Sequence, residues 1–163
     1  GLRDLQNADQ LDKLLGALNR KRLELADAHQ KRVPLVVKVA PDLGDSQIPE
    51  IADVVTRNQF EGLIATNTTI SRDAVKGLRH AAEQGGLSGA PVKEQSNHVL
   101  AAFRAALPPD VALIGTGGIT SGADAAEKIA LGADLVQFYT GFVYKGPDLV
   151  TDCVKAIKAQ TSA

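Results

Sequence analysis

The chain has 163 residues, of which 44% are hydrophobic and 23% charged, with a formal net charge of −1. This is the composition of one globular domain with a sizeable core, and it gives no bulk attraction for nucleic acid. The single cysteine, Cys153, excludes an internal disulfide; there is no zinc pattern, and no apolar run nears the roughly 18–20 residues of a membrane span, so the segment itself is expected to be soluble and metal-free. The sequence has no methionine and opens on Gly1, which suits a piece of a longer chain or a processed one equally.

In chain order, residues 8–31 carry Leu11, Leu14, Leu15, Leu18 and Leu25 at helical spacing. They form an opening helix that must end before Pro34, because the residue preceding a proline avoids the helical region. Leu35 to Ala40 then reads as a strand. Asp45 or Ser46 caps a helix bearing Ile48, Ile51, Ala52 and Val55, with Pro49 tolerated in its first turn. A second strand covers Gly62 to Thr66. Residues 67–91 are rich in glycine, serine and threonine with little periodicity, and read as a long functional loop over a barrel mouth.

Val92, Ser96, Val99, Leu100 and Phe103 share one face of the next helix, which leads to a strand at Val111 to Gly115. Ser121 caps a helix with Ala125, Ala126, Ile129 and Ala130, closed by Gly132. The fourth strand is Leu135 to Tyr139, and Leu149, Val150, Cys153, Val154 and Ile157 define the last helix. The continuous apolarity of the strands implies burial on both faces, as in a parallel sheet. Four βα units are half of an eight-unit barrel, and 163 residues fall short of the roughly 250 of a complete one. The expected fold is therefore α/β, a single domain over residues 1–163 forming the C-terminal half of a (β/α)8 TIM barrel with its N-terminal half absent. An open doubly wound sheet is the structural alternative.

The strand ends carry the candidate chemistry. Gly115-Thr116-Gly117-Gly118 and Tyr139-Thr140-Gly141 follow the last two strands, where barrels bind phosphate through backbone N–H groups, often with the N-terminus of a short extra helix. Lys38 lies within Val36-Val37-Lys38-Val39-Ala40, where a buried cation needs an anion or an electron-rich ring; the plainer reading is an edge-strand lysine reaching solvent. Thr66-Asn67-Thr68-Thr69 offers donors and acceptors suited to a planar ligand, or a capped polar turn. Gly85 to Pro91 lets a backbone lie against a flat cofactor, with Ser88 as a donor, or serves as a hinge. His29, His80 and His98 read as solvated, with no partner evident for His80. Cys153 reads as a buried thiol, and Asp42, Asp124 and Asp134 as turn or capping residues.

Gly1-Leu2-Arg3-Asp4-Leu5-Gln6, Val37 to Leu43, Ile64 to Thr69, Gly85 to Pro91, Ile114 to Ile119 and Tyr139 to Pro147 together resemble the dihydroorotate dehydrogenase family, on the class 2, quinone-reducing side. The resemblance spans essentially the whole chain. It implies FMN as cofactor, dihydroorotate as electron donor, orotate as product and a quinone as acceptor, in pyrimidine synthesis. It implies FMN contacts at Lys38, Thr66, Gly89, Gly118, Tyr139 and Thr140, and substrate contacts at Asn67 and Thr68. It also implies a serine general base just ahead of Gly1, an N-terminal hydrophobic segment that admits the quinone, and a parent protein peripheral on the inner membrane, on the cytoplasmic side if bacterial. On this reading no catalytic base lies in the chain, which is expected to be inactive alone and to self-associate. The alternatives are a class 1 enzyme, another FMN barrel such as a 2-hydroxy-acid oxidase (disfavoured by the lack of a strand-end histidine), or a non-catalytic half-barrel that binds phosphate or flavin.

Overall fold

The computed structural model describes residues 7–161; the Gly1 to Gln6 motif lies outside the described residues. The elements are α1 (Ala8–His29), β1 (Val36–Val39), α2 (Gln47–Arg57), β2 (Gly62–Ala65), α3 (Lys93–Ala106), β3 (Ala112–Thr116), α4 (Gly122–Ala130), β4 (Leu135–Gln137), α5 (Thr140–Lys145) and α6 (Asp148–Thr161). Two 3₁₀ turns, Asp73–Val75 and Ala90–Val92, lie between β2 and α3. The four strands pair in parallel in the order β1-β2-β3-β4, as expected for half of a TIM barrel.

Strand register decides which side chains share a face. Lys38, Ile64, Ile114 and Leu135 lie level with one another across the sheet, and in parallel pairing level residues point the same way. Their neighbours Val39, Ala65 and Gly115 point to the opposite face and are buried, as are Leu63 and Leu113. There they join Ile51, Val55, Val99, Leu100 and Phe103 of α2 and α3 in the main core. A smaller cluster of Ile119, Ala125, Leu149 and Cys153 fastens α4 to α6. Cys153 is thus the buried structural thiol its helical position suggests, and burial pushes its pKa up.

The expectation of burial on both strand faces is corrected. Helices cover one face, while Val36, Lys38, Leu135 and Gln137 on the other are exposed. Lys38 is therefore not a buried cation: β1 is an edge strand of this sheet, and the lysine stands on its open, inner face.

The α3 stripe from Val92 to Phe103 is buried throughout, and so are Ile48, Ile51, Ala52 and Val55 of α2. Three other helical stripes are narrower than their apolar pattern suggests. In α1 only Leu11 and Leu15 of the leucines are buried, and the third buried residue is Arg22. In α6 Val150 and Val154 are exposed, and in α4 Lys128 is buried where Ala130 is not. Arg22 is buried because it docks α1 on the sheet: its Nη1 donates to both oxygens of Glu61 at 2.7 and 2.6 Å, and its Nη2 to the Gln59 carbonyl at 3.0 Å. Arg32 and the Leu35 N–H bond the same carboxylate. Burial would raise the Glu61 pKa, but the Leu35 N–H and the two guanidiniums outweigh it and hold the group at about 2.

Candidate functional site

The C-terminal ends of β1, β2, β3 and β4 open into one cavity. Its walls include Lys38 from β1, Thr66, Asn67 and Thr68 after β2, Ser88 and Gly89 before α3, Gly117 and Gly118 after β3, and Tyr139 and Thr140 after β4. All eight residues singled out for cofactor or substrate thus border a single space. They reach it from five chain segments spread over residues 38–140.

Each wall has a local cause. The Ala65–Thr66 peptide is cis. Thr66 is buried, its N–H donates to the Thr116 carbonyl at 2.7 Å, and the Asn67 N–H reaches back to the Val39 carbonyl at 2.7 Å. These bonds tie the end of β2 to both neighbouring strands. The Asn67 side chain accepts from the Thr68 N–H at 2.8 Å, closing a tight turn.

The long loop is more ordered than its composition suggests. Thr69 and Leu87 exchange both backbone hydrogen bonds, at 3.1 and 2.8 Å. Arg72 Nη2 donates to the carbonyls of Gly85 and Glu83 at 2.6 and 3.1 Å and its Nη1 to those of Ile70 and Ser71 at 3.2 Å, so one guanidinium gathers both ends of the segment. Asp42 does more than cap a turn: it accepts from the Thr69 hydroxyl, from the Ile70 N–H at 3.1 Å and from Gln95 Nε2 at 3.3 Å, locking the loops after β1 and β2 to α3. His80 also has a partner, Glu83, at 2.6 Å, where the sequence suggested none.

The glycine turns converge as the strand ends require. Gly118 adopts a φ of +74°, and a Cβ there would overlap the Lys93 backbone at the start of α3. Lys93 is held by Asp124 and Glu127 of α4 at 2.7 and 2.9 Å; its hydrogen bonds to those carboxylates raise its pKa. Asp124 also accepts from the Thr120 N–H and hydroxyl and the Ser121 hydroxyl. Burial opposes its ionisation, but the lysine and these donors prevail, and its pKa falls well below the usual carboxylate range. On the other side, Thr140 Oγ1 lies 2.9 Å from Ser88 Oγ, joining the start of α5 to the Gly89 segment.

The donor set fits a planar anionic ligand such as a flavin mononucleotide. Among the described residues, the cavity walls carry one ammonium, several hydroxyls, an amide, exposed glycine backbone and the rings of Phe138 and Tyr139, with no carboxylate. Among the described residues no cluster of His, Cys, Asp and Glu could hold a metal ion. No helix among them is long and apolar enough to cross a membrane.

One residue beside this space is not singled out by the sequence pattern. Gln137, at the end of β4, has its Oε1 3.5 Å from Lys38 Nζ and 3.3 Å from Thr116 Oγ1. The polar ending of the Leu135-Val136-Gln137 strand is the signal that points to it.

Residues 1–160 match the family model described as dihydroorotate dehydrogenase. The chain is 58% identical, over 96% of its length, to a dihydroorotate dehydrogenase (quinone) of Paraburkholderia phymatum, and 60% identical over the same share to one of Burkholderia pseudomallei. It covers 45% and 46% of those proteins, so it spans under half the length of the curated relatives it matches. Among solved structures, the crystal structure of DHODH in complex with ferulenol from Eimeria tenella superposes with a TM-score of 0.87 at 36% identity, covering 99% of this chain and 45% of that one. The ligand-free form from the same organism gives 0.84 at 37%, covering 99% and 46%.

Proposed function

The chain belongs to the dihydroorotate dehydrogenase family, and from that premise we propose that it supplies the FMN-phosphate, flavin-ring and part of the orotate contacts of a quinone-dependent dihydroorotate dehydrogenase. The activity is oxidation of dihydroorotate to orotate with a quinone as acceptor, in pyrimidine synthesis. The observation that carries this reading is the single cavity bordered by Lys38, Thr66, Asn67, Thr68, Gly89, Gly118, Tyr139 and Thr140.

FMN, when bound, supplies the two-electron acceptor for the hydride leaving the substrate. The chain's own residues do the rest of the work assigned to it. The Gly118 backbone, with Tyr139 and Thr140 at the start of α5, holds the phosphate. Lys38 sets a positive charge on the inner face of β1, where it favours negative charge developing on the ring. Asn67 and Thr68 orient the substrate through an amide and a hydroxyl. Thr66, buried and tied to β3, keeps both turns in register with the cavity floor.

The general base we assign to a serine outside this chain; in support, neither carboxylate nor imidazole borders the cavity among the described residues. The quinone path and any attachment to a membrane surface are likewise assigned to a segment other than this one.

The test is an acceptor assay on the protein expressed from the full open reading frame that encodes this chain. Dihydroorotate oxidation with a quinone, and much slower turnover with fumarate or NAD, is the expected result. Preference for fumarate or NAD would move the protein to a class 1 reading. Absence of dihydroorotate oxidation from a flavin-loaded preparation would overturn the proposal.

A further inference from the structure

Lys128 is the one lysine of α4, and its side chain is completely buried. Its hydrogen-bond partners are both neutral: Nζ donates to Ser96 Oγ at 2.8 Å and to Asn97 Oδ1 at 2.7 Å, both on α3. Its stem passes against Gly115 of β3, where a Cβ would crowd Lys128 Cδ. Burial pulls its pKa down to about 8. A lysine so placed without a bonded carboxylate is costly to bury, and an apolar side chain of the same length would fill the space at less cost.

What the lysine holds is visible one bond further on. Ser96 Oγ is also 3.2 Å from the Gly117 carbonyl and 3.0 Å from the Lys93 carbonyl. A hydroxyl has one proton; because Ser96 accepts from Lys128, that proton is directed to the carbonyls. The Gly117 carbonyl is thereby drawn inward. The Gly117–Gly118 peptide is planar and trans, so its N–H points opposite to its carbonyl. An inward Gly117 carbonyl therefore turns the Gly118 N–H towards the cavity that both glycines border.

We propose that Lys128 is a positioning residue for the anion-binding turn: acting through Ser96, it fixes the Gly117–Gly118 peptide with its N–H presented to the flavin phosphate. The inference rests on the phosphate reading of that turn. Lys128 touches neither ligand nor cavity, and its effect is confined to the ligand's phosphate.

The test compares wild type, Lys128→Met and Ser96→Ala in the protein expressed from the full open reading frame, with FMN and riboflavin as probes. Riboflavin lacks the phosphate. Lys128→Met is expected to weaken FMN about tenfold or more while riboflavin changes less than about twofold, and to speed exchange of the Gly118 amide in the flavin-free protein about tenfold with β2 amides unchanged. Ser96→Ala should do the same with the lysine intact, which covers the case in which Lys128→Met fails to fold. Equal weakening of both flavins, or unchanged Gly118 exchange in the folded variants, overturns the proposal. Faster Gly118 exchange with FMN affinity unchanged would instead overturn the phosphate reading of the turn and leave Lys128 as its anchor.

Discussion

Lys38 Nζ on β1 and Gln137 Oε1 on β4 lie 3.5 Å apart although two strands separate their backbones. Three strand spacings put these edges about 14 Å apart in a flat sheet, a span that the two long side chains close by reaching towards each other over the inner face. The pairing also places the cation over the mouth of the sheet, where the proposed flavin would lie across all four strand ends. Lys38→Met is therefore expected to slow flavin reduction by dihydroorotate by a factor on the order of 10², with a smaller loss of FMN, in the protein from the full open reading frame. Gln137→Leu, which frees the lysine without removing its charge, should cost much less. Rapid-reaction measurement of flavin bleaching checks both, and equal effects would show that placement rather than charge matters.

Gly118 and Gly146 form a matched pair for testing the proposed phosphate turn. Their φ angles are +74° and +67°, but a Cβ at Gly118 would overlap Lys93 whereas one at Gly146 meets nothing within 4 Å. Gly146→Ala should destabilise the fold by about 1–2 kcal/mol, the conformational cost alone. Gly118→Ala should cost more, because α3 must also shift, and it alone should lower the FMN content of the purified protein. Denaturant melts and flavin absorbance separate the two effects.

The Glu61 cluster makes acid stability predictable. Its carboxyl titrates at about 2 in the folded chain against 4.5 for an unperturbed glutamate. A depressed folded pKa adds stability that is fully present above the unfolded value and is lost as the pH falls from about 4.5 towards about 2. The side chain is one-third exposed, so solvent screening reduces the contribution to on the order of 1–2 kcal/mol. Glu61→Gln should lower the melting temperature at neutral pH and flatten its fall across that acid window. A variant with the same acid slope as wild type would show that other carboxylates dominate.

Strand positions were legible because each short Val, Ile and Leu run is bounded by Gly, Pro or polar turns; the expected and observed strands differ by at most two residues at either end. The α3 stripe was legible for the same reason, since its polar member Ser96 sits at helical spacing with Val99, Leu100 and Phe103. For Lys38 the sequence left both readings open, because an apolar run does not say whether both faces are covered; the edge-strand one holds. Lys128 was invisible: within Ala125-Ala126-Glu127-Lys128-Ile129 it reads as a solvated helix residue, and its burial depends on Gly115 and Ser96, distant in sequence. The helical geometry of Thr140 to Lys145 was hidden in a Thr-Gly-Phe-Val-Tyr-Lys string whose branched and aromatic residues have no helical preference of their own. At Gly141 a Cβ would meet the Ile119 carbonyl of the loop after β3, so the segment packs closely there.

The edges of the sheet lead to the last prediction. β1 and β4 each have one strand neighbour, so each presents an unpaired row of backbone N–H and carbonyl groups. Beside those edges Val36 and Leu135 are 40% and 58% exposed on the inner face, and Phe142, Val143 and Tyr144 of α5 are exposed next to β4. An open parallel edge flanked by apolar side chains is a template for further strands, whether from another segment or from a second copy. The 163-residue chain alone is therefore expected to self-associate, with a sedimentation profile that shifts to larger species as concentration rises. A Val36→Lys, Leu135→Lys double variant should reduce that association without unfolding the helix-covered core, because neither residue lies on the packed face. A strictly monomeric wild-type chain across the concentration range would show that its edges are protected, and a double variant that associates as strongly would place the contact elsewhere.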